Sequence, residues 1–178
     1  HKPGVLEKAS EIAETLKKAG LRVKLDDSDQ SPGWKYAQYE MKGVPLRLEI
    51  GPRDIENGNC VLVRRDNREK TVVALDDLVE STQQMLKDFA KAIYEKAKAN
   101  LEGNITPAHN IQEMKDILQK RVGFVKAMWC GDEHCEEVIK NETGMPSRCI
   151  PFEQEHIDDV CPVCGKPAKY MVVYGIAY

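Results

Sequence analysis

The chain has 178 residues, of which 42% are hydrophobic and 31% charged, values typical of one large or two small globular domains. No run of 18 apolar residues occurs, so we predict no membrane-spanning helix, and the polar start of the sequence predicts no signal peptide. The net charge of −3 argues against a nucleic-acid binder when the chain is taken whole. Residues 31–70, however, carry eight Lys/Arg and six Asp/Glu, whereas residues 108–178 carry eight and eleven, so the middle of the chain is better suited to face a polyanion.

The N-terminal residues predict a helix followed by a strand. Apolar side chains recur at helical spacing over residues 5–19, and Gly20 suits the end of that helix. Residues 21–25 alternate between apolar and polar side chains, as a half-buried strand does. A helix enters a βαβ unit from a preceding strand, so we expect that a strand precedes residue 1 and that the sequence is a fragment of a longer one.

A second helix and three strands are predicted next, and together they indicate a mixed α/β sheet. Ser31-Pro32-Gly33 leads into a helix over residues 34–42, and Trp34 at its start is expected to anchor it inward. Gly51-Pro52 is expected to form a turn that ends a strand, and Asp66-Asn67 a hairpin connection. The three strands are predicted at residues 44–50, 60–64 and 70–74.

A long helix leads from this part to a second α/β unit. The helix is predicted over residues 76–101, and Gly103-Asn104 ends it just before a boundary at Thr106-Pro107. The later elements are predicted as a helix at 110–120, a strand at 124–128, a helix at 136–142 and strands at 149–152 and 169–174. The sequence is therefore divided into a domain at 1–75, a long helix with a linker at 76–107, and a domain at 108–178.

Six cysteines in a chain without secretory features indicate reduced thiols and a metal site. The segment Cys161-Pro162-Val163-Cys164-Gly165 has the spacing of a metal-binding knuckle, in which a tight turn directs backbone N–H groups at the sulfurs. Cys130 and Cys135 are predicted to supply the other two ligands of a tetrahedral site. Four thiolates leave no open position, so the ion would be a structural zinc whose binding contributes to folding.

Other interpretations of the cysteines stay open. Disulfides are the general alternative for paired cysteines. His134 and Cys149 are rival metal ligands, and His134 could replace Cys135. Cys149 and Cys60 lie in apolar strands, where each is predicted to act as a small buried hydrophobic residue. An accessory enzyme that uses a thiol would need a reactive cysteine beside a base, and Cys135 next to His134 is the sequence-adjacent pair of that kind.

Three segments resemble prolyl-tRNA synthetases of the archaeal/eukaryotic type: Ser31 to Lys35, Lys42 to Arg47 and Glu49 to Asp54. Ser147 to Phe152, the cysteine set and the terminal Tyr178 resemble the zinc domain at the C-terminus of that family. The resemblance covers essentially the whole chain. It implies a class II synthetase anticodon-binding α/β sheet domain followed by a small zinc-stabilised α/β domain.

The resemblance implies an enzyme that attaches proline to tRNA-Pro with ATP and magnesium. The three class II catalytic motifs do not occur in these residues, so this chain alone is not expected to be catalytic. The family also implies a homodimer in the cytoplasm, and a contact from Tyr178 to the catalytic domain. The alternative is a stand-alone zinc-containing RNA-binding module.

The resemblance further implies which residues read the anticodon. Proline anticodons share GG at their second and third positions, and the family residues that read them match Tyr36, Glu40, Arg47, Arg53 and Asp54 here. Lys70 is a further candidate. Carboxylates accept from guanine N1–H and N2–H, Arg and Lys donate to O6 and N7, and an aromatic ring stacks on an unpaired base. Without the resemblance, Arg47–Glu49 and Arg53–Asp54 would be interpreted as surface ion pairs.

Overall fold

Helices and strands are mixed along the chain, which confirms the predicted α/β fold class. The computed structural model describes residues 4–120 and 123–176. The chain divides into two units, residues 1–96 and residues 97–178, and the division falls within one long helix. No helix among the described residues is long and apolar enough to span a membrane.

The first unit is built on a three-stranded antiparallel sheet. Its strands are β1 (Leu46–Glu49), β2 (Asn59–Arg64) and β3 (Lys70–Ala74), in the order β1-β2-β3. The register places Val63 opposite both Arg47 and Lys70 on its two neighbouring strands. Because side chains alternate between the two faces of a strand, Arg47, Val63 and Lys70 lie in one row on one face of the sheet.

The opposite face of this sheet carries the core of the first unit. Leu48, Cys60, Leu62 and Val73 pack there with Leu78 and with the apolar stripe of helix α1 (Val5–Lys18), which includes Ile12 and Leu16. Cys60 is fully buried, as predicted. The helix ends at a glycine with a left-handed backbone, Gly20, also as predicted.

The prediction of a strand at residues 21–25 is wrong, since these residues form no strand in the structure. The alternation does correspond to burial, because Leu21 and Val23 are partly buried against the core and the residues after each of them are exposed. A strand also requires hydrogen bonds to a neighbouring strand, and alternation along one segment carries no information about that neighbour. The expected strand before residue 1 stays a prediction.

Helix α2 (Pro32–Met41) crosses the face of the sheet opposite to α1. Ser31 is its N-cap, and the Ser31 hydroxyl accepts a hydrogen bond from the backbone N–H of Trp34 at 3.4 Å. The prediction that Trp34 points inward is wrong, because its side chain is 50% exposed. Helix geometry fixes how side chains are spaced around the helix axis, but it does not decide which side of the helix packs against the sheet.

The turn predicted at Gly51-Pro52 is the start of a short helix, α3 (Pro52–Glu56). Pro52 occupies the first helical position, where its fixed φ and missing N–H carry no penalty. The side chain of Asp54 accepts a hydrogen bond from the backbone N–H of Gly51 at 2.8 Å and so caps the helix. The predicted hairpin at Asp66-Asn67 is confirmed by the antiparallel pairing of β2 and β3.

The second unit follows the long helix α4 (Leu78–Gly103), which begins after a single 3₁₀ turn at Leu75–Asp77. Its four-stranded sheet has the order β4-β5-β7-β6. Strands β4 (Ile105–Pro107) and β5 (Phe124–Trp129) are parallel, and helix α5 (Ile111–Lys120) connects them. The final strand, β7 (Tyr170–Gly175), pairs antiparallel with β5 and with the short β6 (Ser147–Cys149).

Helix α6 (Glu133–Thr143) packs its buried Ile139 into the core of this unit together with Met114, Val125 and Tyr174. The helix begins three residues earlier than predicted, so Cys135 lies in its first turn. The strand predicted at 149–152 lies instead at Ser147–Cys149, and strand β4 was not predicted. The prediction that Cys149 is buried is wrong, since it is exposed on an edge strand whose register is irregular.

Candidate functional sites: an arginine cluster and a four-cysteine centre

Five polar side chains meet where α2 crosses the first sheet, and we call them the arginine cluster: Tyr36, Glu40, Arg47, Glu49 and Lys70. Tyr36 and Glu40 are four residues apart on α2, which places them on one face of the helix. Arg47 and Glu49 are two residues apart on β1 and therefore share one face of the strand. Lys70 begins β3 on the same face of the sheet.

Arg47 is the centre of the arginine cluster. Its Nε donates to Oε1 of Glu49 at 2.8 Å, and its Nη1 donates to Oε1 of Glu40 at 2.9 Å. The guanidinium carbon lies 3.9 Å from the centroid of the Tyr36 ring, a cation–π distance. Nζ of Lys70 lies 3.1 Å from Oε2 of Glu49, so that carboxylate joins both cations.

The arginine cluster is partly shielded from solvent but stays accessible. The side chains of Arg47 and Glu49 are 21% and 19% exposed, whereas Lys70 is 59% exposed. Burial raises the pKa of Tyr36 above its ordinary value, and the nearby Glu49 carboxylate raises it further. Planar donors, carboxylate acceptors and an aromatic ring at one place can hydrogen-bond and stack on a planar polar group such as a nucleobase.

Four of the six predicted anticodon residues therefore lie together, namely Tyr36, Glu40, Arg47 and Lys70. Arg53 and Asp54 lie on α3, and no hydrogen bond or ion pair within the described part of the chain joins them to the arginine cluster. Arg53 is exposed, and Asp54 uses one carboxylate oxygen to cap α3. Base recognition by any of the six stays a prediction.

Glu49 is the member of the arginine cluster that the sequence did not assign to the site. Its pairing with Arg47 was foreseen, but only as an ordinary surface ion pair. The spacing of two along a strand was the available signal, since it places Glu49 beside Arg47. The contact to Lys70 spans 21 residues of sequence, so it depends on the register of β1, β2 and β3 and could not be predicted from local spacing.

The four-cysteine centre contains the four cysteines predicted as ligands, Cys130, Cys135, Cys161 and Cys164. Their sulfur atoms all lie within 4.8 Å of one another. Cys130 follows β5, Cys135 lies in the first turn of α6, and the other two belong to the knuckle. In a tetrahedral site with metal–sulfur bonds of about 2.3 Å, the sulfurs are about 3.8 Å apart. The Sγ atoms of Cys164 and Cys130 are 3.7 Å apart, so the residues fit a four-coordinate ion.

Two similar turns present sulfurs to this centre. Cys130 and Cys164 are each followed by a glycine with positive φ, Gly131 at 90° and Gly165 at 67°. Burial raises the pKa of Cys130 above its ordinary value, and the backbone N–H of Asp132 hydrogen-bonds to the sulfur and opposes that rise. The backbone N–H of Lys166 hydrogen-bonds to the sulfur of Cys164 in the same way. The pKa of Cys164 falls to about 7, chiefly through the Lys166 N–H. Burial has the opposite effect at Cys135, whose pKa is raised.

The other interpretations of these cysteines find no support among the described residues. None of the six cysteines is in a disulfide, and a separation of 3.7 Å is far longer than an S–S bond of about 2 Å. His134 lies on the exposed side of α6, outside the group of four ligands. Cys135 is only 2% exposed and lies among three other sulfurs, unlike an accessible nucleophile.

Tyr178, for which a contact to the catalytic domain is predicted, lies outside the described residues.

Comparison with known proteins agrees with both units. Residues 2–85 match the family model described as "Anticodon binding domain", and residues 111–178 match the model described as "Prolyl-tRNA synthetase, C-terminal". Among curated relatives, the proline–tRNA ligase of Clostridium botulinum (strain Okra / Type B1) is 54% identical over all 178 residues, and that of Lachnospira eligens is 52% identical over 177 residues. The chain spans 37% of the length of each of these relatives.

A solved structure is similar over nearly the whole chain. The prolyl-tRNA synthetase from Cryptosporidium parvum, crystallised with L-proline and AMP, superposes with a TM-score of 0.90 at 39% sequence identity. The similarity covers 97% of this chain and 37% of that one.

Proposed function

Because the chain belongs to the prolyl-tRNA synthetase family, we propose that it is the tRNA-selecting, C-terminal portion of a proline–tRNA ligase. In this proposal the domain at 1–75 binds the anticodon loop of tRNA-Pro, and a long helix with a linker at 76–107 leads to a zinc-stabilised domain at 108–178. The observation that carries the proposal is the arginine cluster, which lies in the part of the chain that matches an anticodon-binding family.

The chemistry of the arginine cluster supports guanine as the base that it reads. Guanine presents two acceptors, O6 and N7, and two donors, N1–H and N2–H. Arg47 and Lys70 supply donors, and the carboxylate of Glu40 supplies an acceptor beside them. Tyr36 supplies an aromatic ring for stacking. Arg53 and Asp54 are proposed as further contacts on the adjoining α3.

The four-cysteine centre is proposed to hold a structural zinc ion. Four thiolates in a closed set leave no position for a water or a substrate, so such an ion stabilises the fold and does not act in catalysis. Cys130, Cys161 and Cys135 are buried together with Trp129 and Val163 around them, so the ion would complete a small core.

The activity of the whole ligase is proposed from the relatives. That enzyme would activate proline with ATP and magnesium and transfer it to tRNA-Pro in the cytoplasm, as a homodimer. This chain would supply tRNA selection and not the adenylation step. Tyr178 at the end of the sequence is proposed to contact the catalytic domain.

The proposal is tested by binding of RNA hairpins to the 178-residue chain. A fluorescent anticodon stem-loop with GG at its second and third anticodon positions is compared with loops in which each guanine is replaced by adenine. At one fixed salt concentration, each replacement should weaken binding by about five- to a hundredfold, the usual effect of losing one good base contact. Equal binding of all loops would reject anticodon reading and leave only non-specific RNA affinity.

A further inference from the structure

We propose that Glu49 is a positioning residue that determines specificity. Its carboxylate holds the two cations of the arginine cluster, Arg47 and Lys70, where they can donate to the two neighbouring guanines of the anticodon. This inference rests on the proposed function. It assigns to Glu49 no contact with the base. Glu49 acts instead through Arg47 and Lys70.

The two oxygens of Glu49 hold two different cations. Oε1 accepts from Nε of Arg47 at 2.8 Å, and Oε2 lies 3.1 Å from Nζ of Lys70. The Glu49 side chain is 19% exposed, so the carboxylate is more shielded than an ordinary surface ion-pair partner. A single carboxylate therefore sets the distance between a cation on β1 and a cation on β3.

The atom that Glu49 binds on Arg47 determines which donors remain for a base. A guanidinium has five N–H groups, and the contact at Nε fixes its plane while leaving the terminal nitrogens directed away from the carboxylate. Glu40 accepts from one of them, Nη1, at 2.9 Å, and Tyr36 covers one face of the guanidinium. Bidentate donation to guanine O6 and N7 needs such a fixed fork, because a swinging side chain loses entropy when it binds.

Because Glu49 is negatively charged, a purely electrostatic role and a positioning role predict opposite effects of its removal on RNA binding. A carboxylate on a surface that receives RNA repels phosphates, so its removal should tighten RNA binding if charge alone mattered. A positioning role predicts the opposite for the correct loop, since the two cations lose their common anchor. The two effects can therefore be separated by direction and not only by size.

The test uses the full chain with Glu49→Ala and Glu49→Gln. The amide in Glu49→Gln would keep an acceptor for Arg47 but lose the charge that holds Lys70, so this variant should rescue part of the effect. Glu80→Gln is the control, because Glu80 is an exposed acidic residue on α4 and its loss changes the net charge by the same amount. Each protein is titrated with the GG stem-loop and with the two loops that carry one adenine, and thermal unfolding is followed for each.

Glu49→Ala should reduce discrimination between the GG loop and the better-bound adenine loop by about tenfold, part of what one bidentate base contact provides. Glu49→Gln should fall between the wild type and Glu49→Ala, and Glu80→Gln should keep the wild-type ratio. Tighter binding of all loops at an unchanged ratio would reduce Glu49 to a repelling charge and overturn the inference. Parallel weakening of all loops with a lower unfolding temperature would also overturn it, because that pattern is purely structural.

The result for the wild type separates the two proposals. If the wild type prefers the GG loop and Glu49→Ala keeps that preference, anticodon reading stands and the role of Glu49 is rejected. If the wild type shows no preference, both proposals are rejected together.

Discussion

The guanidinium of Arg47 lies against the ring of Tyr36, with its central carbon 3.9 Å from the ring centroid. One face of the aromatic ring is therefore already covered by a cation before any RNA arrives. A base that stacks on Tyr36 must use the other face, so the ring lies between that base and Arg47, and the donors of Arg47 are left for the edge of a neighbouring base. The pair thus offers a stacking platform and a hydrogen-bonding group at adjoining positions.

Replacing Tyr36 should reveal whether the ring acts as that platform. Tyr36→Phe keeps the ring and should keep binding of the GG stem-loop within about twofold, since stacking does not require the hydroxyl. Tyr36→Leu should weaken binding by about 1–3 kcal/mol, the usual contribution of one stacked base. The measurement is fluorescence anisotropy at constant salt. Similar losses for Phe and Leu would show that the hydroxyl, and not the ring, carries the effect.

Arg47 should contribute through its geometry more than through its charge. Arg47→Lys keeps the positive charge but cannot donate from Nε and two terminal nitrogens at once. We expect weaker binding of the GG loop, by about 1–3 kcal/mol, and a flatter preference for guanine, with little change in the salt dependence. Arg22→Lys is the matched control, because Arg22 is exposed in the segment after α1. An unchanged preference in Arg47→Lys would remove Arg47 from the set of reading residues.

Asp54 has a structural role that can be measured apart from RNA binding. Its carboxylate accepts from the Gly51 N–H at 2.8 Å, so Asp54→Ala should destabilise the first unit by about 1 kcal/mol, the usual net value of one hydrogen bond. Asp54→Asn keeps an acceptor oxygen and should lose less. Glu56→Ala, at the other end of the same helix, is the control and should change stability little. Chemical denaturation measures the effect.

The two Asp54 variants also test its predicted role in base reading. If Asp54 contacts guanine as well, Asp54→Asn should lose discrimination in the stem-loop assay even though it loses less stability than Asp54→Ala. If binding follows stability across both variants, Asp54 acts only as a cap and should be removed from the anticodon set.

The sequence predicted those features that depend on local spacing. The stripe that buries Ile12 and Leu16 repeats at the helical period, and the ligand spacing at Cys161 and Cys164 is itself the geometry of the knuckle. Neither needs knowledge of a distant partner. The fold class could be predicted in the same way. The grouping of Cys130 and Cys135 with the knuckle joins distant parts of the sequence, and it could be predicted only because a tetrahedral site needs four ligands and the knuckle supplies two.

Features that depend on a distant partner were missed. Residues 21–25 alternate between partly buried and exposed side chains, as a strand would. No local pattern shows, however, whether a neighbouring strand is hydrogen-bonded to them. Glu49 reaches Lys70 only because β1 and β3 both pair with β2 in one register. The exposure of Trp34 likewise follows from how α2 lies on the sheet, and a tryptophan beside a proline and a glycine gives no sign of it.

The four-cysteine centre should bind one zinc ion per chain and stabilise the second unit alone. Each unit contains one of the two tryptophans, Trp34 in the first and Trp129 beside the cysteines in the second, so Trp34→Phe and Trp129→Phe provide a separate fluorescence signal for each unit. A strong chelator should change the fluorescence of Trp129 and lower the unfolding temperature of that unit, because metal binding contributes to its folding free energy. The Trp34 signal should not change.

Cys161→Ser should lose the metal and destabilise the second unit by about 3 kcal/mol or more, since structural zinc sites supply a large part of the folding energy of small domains. Cys149→Ser is the matched control, because Cys149 is exposed and lies outside the group of four, and it should keep the full metal content. Elemental analysis of the purified proteins and thermal unfolding monitored at Trp129 give the two readouts. Equal metal content in both variants, or a metal-free wild type whose second unit unfolds at the same temperature with and without added zinc, would contradict a structural ion at these cysteines.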